Sequence, residues 1–248
     1  MATLRPSLAD IDLPHVWRGR ELAQAQERTL STGHAELDAQ LPGRGWPLGC
    51  LVEVLQAHAQ QHVWQLLAPA LAACIRQEAG PIVLVNPPYE PFGPGLRGRG
   101  LRPEQLLSVN AQKVSSRLWA AEQALRCADV AAVLAWLPQA RNEDLRRLHL
   151  SAQQHERFLI AFRGVDARQQ SSPARLRLLV EGVERLEVRI LKRRGPPLLQ
   201  PVLLGAQPKR LAALLAARKS SRRRVAPAEI NFIPGGWHVL DRTPSLAG

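Results

Sequence analysis

Apolar and polar positions change period along this chain, and each change marks a different kind of element. From Leu51 to Phe162 short apolar runs alternate with longer stretches of helical spacing. Leu51–Leu55 reads as an apolar strand, and the spacing through Val63–Arg76 predicts a helix. Ile82–Val85 predicts a second strand. It is closed by Asn86-Pro87-Pro88, because proline has no N–H to donate and restricts the residue before it. After a Gly/Pro-rich loop, Pro91–Gly100, comes a short strand at Leu106–Val109. Val114–Cys127 follows as a helix, with Leu118 and Leu125 on a face that Trp119 also touches. The unbroken apolar run Ala131–Leu137 suits a strand buried on both sheet faces. Asn142 is placed to cap a helix running to about His155, with Leu145, Leu148 and Ala152 inward. Phe158–Phe162 is the next buried strand. Strands separated by helices in this way predict βαβ units and a mostly parallel central sheet, an α/β fold.

After Pro173 the period drops to two. Leu176, Leu178 and Val180 alternate with other residues, as do Leu186, Val188 and Ile190. Joined through Glu181-Gly182-Val183-Glu184, the two runs predict an antiparallel hairpin with one solvated face, extending the edge of the sheet. Ahead of the core, Leu13–Gln26 predicts a helix with Pro14 in its first turn, followed by a turn-rich lead-in at Leu41–Gly49. Beyond Gly195 the prolines at 196, 197, 201 and 208 argue against compact continuation. A short basic helix at Lys209–Lys219 and an apolar, aromatic segment at Ile230–Trp237 stand out there. The predicted organisation is an N-terminal helical arm over 1–29, a core over 30–195, and a basic, partly disordered tail over 196–248.

Composition sharpens this picture at the tail. At 248 residues and 46% hydrophobic, the chain has enough apolar side chains for one full-sized core. Its formal charge is +12 and its pI about 11.1. Between Lys192 and Arg224 stand ten basic residues and no acidic one, and the rest carries 23 basic against 21 acidic. Such an excess calls for a polyanionic partner: nucleic acid, an anionic membrane surface or an acidic protein. Cys50, Cys74 and Cys127 share no metal-ligand spacing with each other or with the histidines, and read as buried thiols in a reducing compartment. His58 and His62 are four apart without a third ligand, so no metal is expected. No apolar run approaches the length needed to span a bilayer. Nothing in the N-terminal residues argues for export, so a cytoplasmic protein with no membrane contact is expected.

Residues 30–55, LSTGHAELDAQLPGRGWPLGCLVEVL, resemble the lead into a RecA-type ATPase core. In that fold a Thr-Gly and a Leu-Asp pass through a Gly-rich turn to the first core strand and the phosphate loop. LPHVWRGREL at 13–22, followed by LPGRGWPLG at 41–49, more narrowly resembles the ImuA family, RecA-like proteins of bacterial mutagenesis cassettes. A working phosphate loop needs G-x-x-x-x-G-K-[ST]: glycines so that backbone N–H groups can wrap phosphates, Lys for the terminal phosphates, and a hydroxyl for Mg²⁺. Here Gln56 and Gln61 stand at the glycine positions, His62 at the lysine and Val63 at the hydroxyl. Trp136 stands where such folds carry a metal-handling Asp at the end of a buried strand. Asn86-Pro87-Pro88 replaces the acidic residue after the second strand, leaving Glu90 as the nearest substitute. The resemblance therefore implies a RecA-like core without ATP chemistry, catalytic residues or cofactor.

It further implies an accessory protein of SOS-induced mutagenic lesion bypass. Such a protein links RecA on single-stranded DNA to ImuB and, through it, to the error-prone polymerase, and it is able to associate with itself. Two other readings stand beside this one: a DNA-dependent ATPase with an unorthodox site, and an SOS cell-division inhibitor of the SulA type. Arg163, Arg168, Gln169 and Gln170 fall in the loop after Phe158–Phe162, where RecA-like proteins contact DNA; a merely solvated polar loop is the alternative. Lys209, Arg210, Arg218, Lys219, Arg222, Arg223 and Arg224 supply phosphate-neutralising charge for DNA, or attraction to an acidic partner. Phe232 and Trp237 have the look of a docking peptide. Trp17, with Arg18, is either an interface anchor or a staple for the arm on its own core.

Overall fold

The computed structural model describes residues 28–58, 63–78, 80–182 and 185–205. The chain divides into two units, Met1–Ala206 and Gln207–Gly248, and every described residue belongs to the first. Several predicted features lie outside the described residues. They are the helix at 13–26 with Trp17 and Arg18, the phosphate-loop positions Gln61 and His62, and the turn residues Val183 and Glu184. Lys209, Arg210, Arg218, Lys219, Arg222, Arg223, Arg224, Phe232 and Trp237 lie outside them as well.

Strands β1 (Thr29–Leu30) and β2 (Trp46–Pro47) form a small antiparallel ribbon, enclosing the short helix α1 (Ala35–Asp38). The main sheet follows: β3 (Cys50–Gln56), β4 (Ile82–Val85), β5 (Leu106–Val109), β6 (Ala132–Trp136), β7 (Phe158–Gly164), β8 (Leu176–Glu181), β9 (Leu186–Lys192) and β10 (Val202–Leu204). Its order is β10-β9-β8-β3-β7-β6-β4-β5. The strands from β8 to β5 in that order are parallel, while β9 and β10 are antiparallel to their neighbours. This is an α/β fold with a mostly parallel eight-stranded sheet and an antiparallel hairpin, consistent with a RecA-like core.

Alternation along each strand sorts its side chains between two cores. One face carries Val52, Val54, Ile82, Leu84, Leu134 and Ile160 against α2 (Val63–Glu78), whose Leu66, Leu67, Ala70 and Leu71 are buried. The other carries Leu51, Val83, Val133 and Leu159 against α4 (Val114–Arg126) and α5 (Asn142–Gln154). A short helix α3 (Gly93–Arg97) lies in the Gly/Pro-rich loop.

The Thr-Gly…Leu-Asp stretch has a structural explanation. Asp38 accepts hydrogen bonds from the Thr32 backbone N–H (2.8 Å) and the Ser31 hydroxyl (2.7 Å), closing the turn that Leu37 anchors in the core. Gly33 has φ +79°, and a Cβ there would lie 2.3 Å from Pro69 Cβ of α2. Only glycine allows both that backbone and that approach.

Four expectations are corrected. Asn142 does not cap α5: Arg141 precedes the helix, its backbone N–H donates to Asp144 Oδ2 (2.9 Å), and Asn142 Nδ2 donates to Ser171 Oγ (2.9 Å). Trp119 is not on the inward face of α4 but 63% exposed. Strand β8 has no solvated face, because Ala167 of the 3-10 turn Val165–Gln169 covers Leu179 and Leu55. Finally, the sheet continues past Gly195: β10 pairs with β9 and buries Val202 and Leu204. Pro196, Pro197 and Pro201 all precede the paired residues, so none removes a donor from this ladder.

Candidate functional site

In parallel α/β sheets ligands bind outside the carboxyl ends of the strands. Here β3, β4, β6 and β7 end around a cavity of about 250 Å³. Gln56, Ala57, Asn86, Pro88, Arg117, Trp136, Pro138, Phe162, Arg163 and Gly164 line it, so apolar surface predominates. Trp136 and Phe162, neighbours in register on β6 and β7, stack with ring centroids 4.6 Å apart and planes 19° from parallel. Trp136 is 6% exposed. An indole thus fills the strand-end position that the resemblance would give to a carboxylate.

The other degenerate positions agree with this. Gln56 ends β3 buried, opposite Gly164 and Val180. Val63 opens α2 and is 3% exposed within the apolar core, so that position has neither a hydroxyl nor access to solvent. Asn86 turns the chain out of β4 at φ +52°, a conformation asparagine tolerates better than most residues. Its Oδ1 accepts from Ala111 N–H (2.8 Å), fixing the loop after β5. The Arg117 guanidinium donates to the Ala111 (2.9 Å) and Gln112 (3.1 Å) carbonyls, tying α4 to the same loop. Glu90 is exposed and does not line the cavity. Residues able to hold a metal do not converge elsewhere either: among the described residues no group of three His, Cys, Asp or Glu side chains does so. No helix among them is long and apolar enough to cross a membrane.

Arg163 is placed differently from the expectation that it faces DNA. It belongs to β7 itself and is 4% exposed. Alternation puts it on the same sheet face as Glu53 of β3 and Arg177 of β8, and Glu53 and Arg177 are direct register partners. Glu53 Oε1 accepts from Arg163 Nη1 at 2.9 Å, and Oε2 accepts from Arg177 Nε at 2.6 Å. Arg163 also donates to the Ala140 carbonyl (3.0 Å) and to Gln170 Oε1 (2.6 Å). Arg177 donates to the Gln170 (3.1 Å) and Ala167 (2.9 Å) carbonyls. Arg163 therefore holds the segment after β7 in place, and Gln170 is a structural ligand of it. Arg168 of the 3-10 turn is exposed, as the loop reading requires. Reading Leu51–Leu55 as simply apolar missed Glu53. The signal was present: a carboxylate inside a buried strand demands partners of opposite charge.

No protein-family model matches the chain. Over 136 residues it is 32% identical to Protein ImuA from each of two strains of Caulobacter vibrioides, covering 52% of this chain and 54% of the relative. The chain thus spans about half the length of the curated relatives it matches. By sequence this chain is similar to ImuA across about half its length, on a fold consistent with a RecA-like core.

Proposed function

We propose that this chain is a non-catalytic, RecA-like accessory protein of SOS-induced mutagenic lesion bypass, which links RecA and DNA to ImuB and the error-prone polymerase. The observation that carries the reading is the stack of Trp136 on Phe162 at the carboxyl ends of the strands. Nucleotide chemistry in such a fold needs charge there to hold magnesium and phosphate, and an apolar floor supplies none. Val63, buried where a metal-binding hydroxyl belongs, points the same way. Surfaces retained after such losses act by binding, and similarity to ImuA supplies the setting.

Two measurements on the full chain test this. Calorimetric titration with MgATP is expected to give no binding heat; saturable heat with turnover would bring back the DNA-dependent ATPase reading. Immobilised protein is expected to retain ImuB, and RecA assembled on single-stranded DNA, without added nucleotide. Failure to retain either one removes the linking role. Filamentation of cells expressing the chain alone would favour the SulA-type inhibitor instead.

A further inference from the structure

Helices α4 and α5 each bury one apolar stripe, Leu118, Ala121 and Leu125 on the first and Leu145, Leu148 and Ala152 on the second. On an amphipathic helix the opposite face is expected to be polar. Both helices depart from this: Trp119 is 63% exposed and Leu150 is 56% exposed. Glu122 of α4 and Arg147 of α5 bridge the two helices at their surface (2.7 Å). Beside that bridge opens a groove of about 630 Å³, lined by Ser115, Ser116, Leu118, Trp119, Asp144 and Arg147.

Residues 1–27 precede the described chain, and its first described residues fix where they arrive. In the ribbon Leu30 stands opposite Trp46 and Thr29 opposite Pro47, and the Arg28 carbonyl accepts from Leu48 N–H (2.9 Å). Followed backward, the chain therefore heads for Gly49. That glycine lies against the C-terminal end of α5: its N–H donates to the Arg157 carbonyl (3.1 Å), and a Cβ on it would lie 3.6 Å from Glu156 Cα. The Arg28 guanidinium pairs with the Glu156 carboxylate at the same place. The segment before Arg28 thus starts at the foot of α5.

We propose that the helix expected at Leu13–Gln26 docks in cis along the outer surface of α4 and α5, with Trp17 against Trp119 and Leu22 against Leu150. The lengths match: the 14 residues of that helix span about 21 Å and the 13 residues of α5 about 20 Å. With Gln26 beside Gln154 at the foot and the two axes side by side, Leu22 comes level with Leu150. Trp17 comes level with Leu145, between the groove residues Asp144 and Arg147. At about 100° per residue, Trp17 and Leu22 point about 140° apart, so one can reach α4 and the other α5. Arg147 is already paired with Glu122, which leaves Asp144 as the groove's carboxylate for Arg18. Direct attachment to β1 sets the local concentration of the segment at about millimolar, so a contact of modest strength keeps it docked. Of the two roles for Trp17, staple and interface anchor, this is the staple.

The test uses the full chain carrying Cys127→Ser, since Cys50 and Cys74 are buried. Leu22→Cys with Leu150→Cys, treated with a short bismaleimide, is expected to give an internally cross-linked monomer. It should form on the order of tenfold faster than with Leu22→Cys and Leu107→Cys, a pair whose second thiol is equally exposed but stands on β5. Trp119→Ala, a change at an exposed position, is expected to speed tryptic cleavage after Arg18 and Arg20 on the order of tenfold, because the protease reads the undocked population. Trp119→Phe, which keeps a ring, should leave cleavage close to that of the wild type. Equal cross-linking rates for the two pairs overturn the proposal. Cross-linked dimers in place of monomers assign the groove to the arm of a second copy and overturn docking in cis. Cleavage unchanged by Trp119→Ala overturns it as well, and if the same variant no longer retains ImuB, the groove belongs to that partner.

Discussion

Trp136 lies flat against Phe162 across adjacent parallel strands, 4.6 Å between ring centroids. This pair is the floor of the strand-end cavity and part of the apolar core at once. Truncating Trp136 to Ala should cost about 3–5 kcal/mol of folding stability, the usual price of emptying a buried aromatic site. The midpoint of urea unfolding measures it. Trp136→Asp should destabilise as well, yet gain no affinity for MgATP, because Val63 still offers the ion no oxygen. Metal-dependent ATP binding by that single variant would show that the site is one residue away from function.

Glu53 is fully buried and bonded to two arginines that are themselves almost fully buried. Removing its charge leaves two guanidinium groups facing each other across β3 with only neutral acceptors. Glu53→Gln, which keeps the shape, is expected to lose about 3–5 kcal/mol in denaturant unfolding. A loss below about 1 kcal/mol would mean that the carbonyls of Ala140, Ala167 and Gln170 satisfy the arginines unaided.

How far the sequence disclosed this arrangement depends on which interactions are local. Ile82–Val85 matches the observed strand to the residue, because a continuous apolar run between breakers has few other solutions, and Leu106–Val109 matches as well although Ser108 interrupts its apolar residues. The antiparallel hairpin was legible from its period of two on either side of a Gly-containing turn. The covering of β8 on the face expected to be solvated was not, since Ala167 reaches Leu179 only after the chain has crossed from β7. Arg163 looked like a loop residue because it follows the apolar run Phe158–Phe162; its partner Glu53 lies 110 positions earlier. Val202–Leu204 was hidden among prolines, whose spacing says nothing of the free edge that β9 offers. At the candidate site, the residue replacements were readable from the sequence, whereas the Trp136–Phe162 stack needed the strand register.

The three cysteines should differ sharply in reactivity. Burial pushes the Cys74 thiol up to about 11, the nearby Glu78 carboxylate adds to this, and Arg157 opposes it. Cys50 is buried too, whereas Cys127 is exposed, which corrects the expectation that all three thiols are buried: it directly follows the last residue of α4, at the helix end and outside the core. Because the thiolate is the reactive form, Ellman's reagent at pH 8 is expected to titrate Cys127 quickly in the folded protein and the other two only on unfolding. Cys127→Ser should abolish the fast phase. A fast phase that persists would place a reactive thiol at Cys50 or Cys74, contrary to their burial.

His149 links the charges of Arg175 and Lys192 to the pH dependence of stability. Leu51 N–H donates to its Nδ1, so that nitrogen must stay unprotonated for the bond to exist. Burial, then Arg175 and Lys192, hold its pKa below the ordinary imidazole value of about 6.5. The unfolded chain therefore takes up a proton at this residue before the folded chain does, and stability rises with pH across that interval. The contribution is complete above about 6.5 and is lost as the pH falls through the lowered folded value. Thermal unfolding between pH 7.5 and pH 5 should show this loss in the wild type and a smaller one in His149→Asn, whose side chain can still accept a hydrogen bond but does not titrate. Arg175→Gln with Lys192→Gln should move the His149 titration upward, followed by its imidazole NMR shift, but still leave it below the ordinary value because burial remains. No movement would mean that the charges of Arg175 and Lys192 do not reach His149 and that burial alone lowers its pKa.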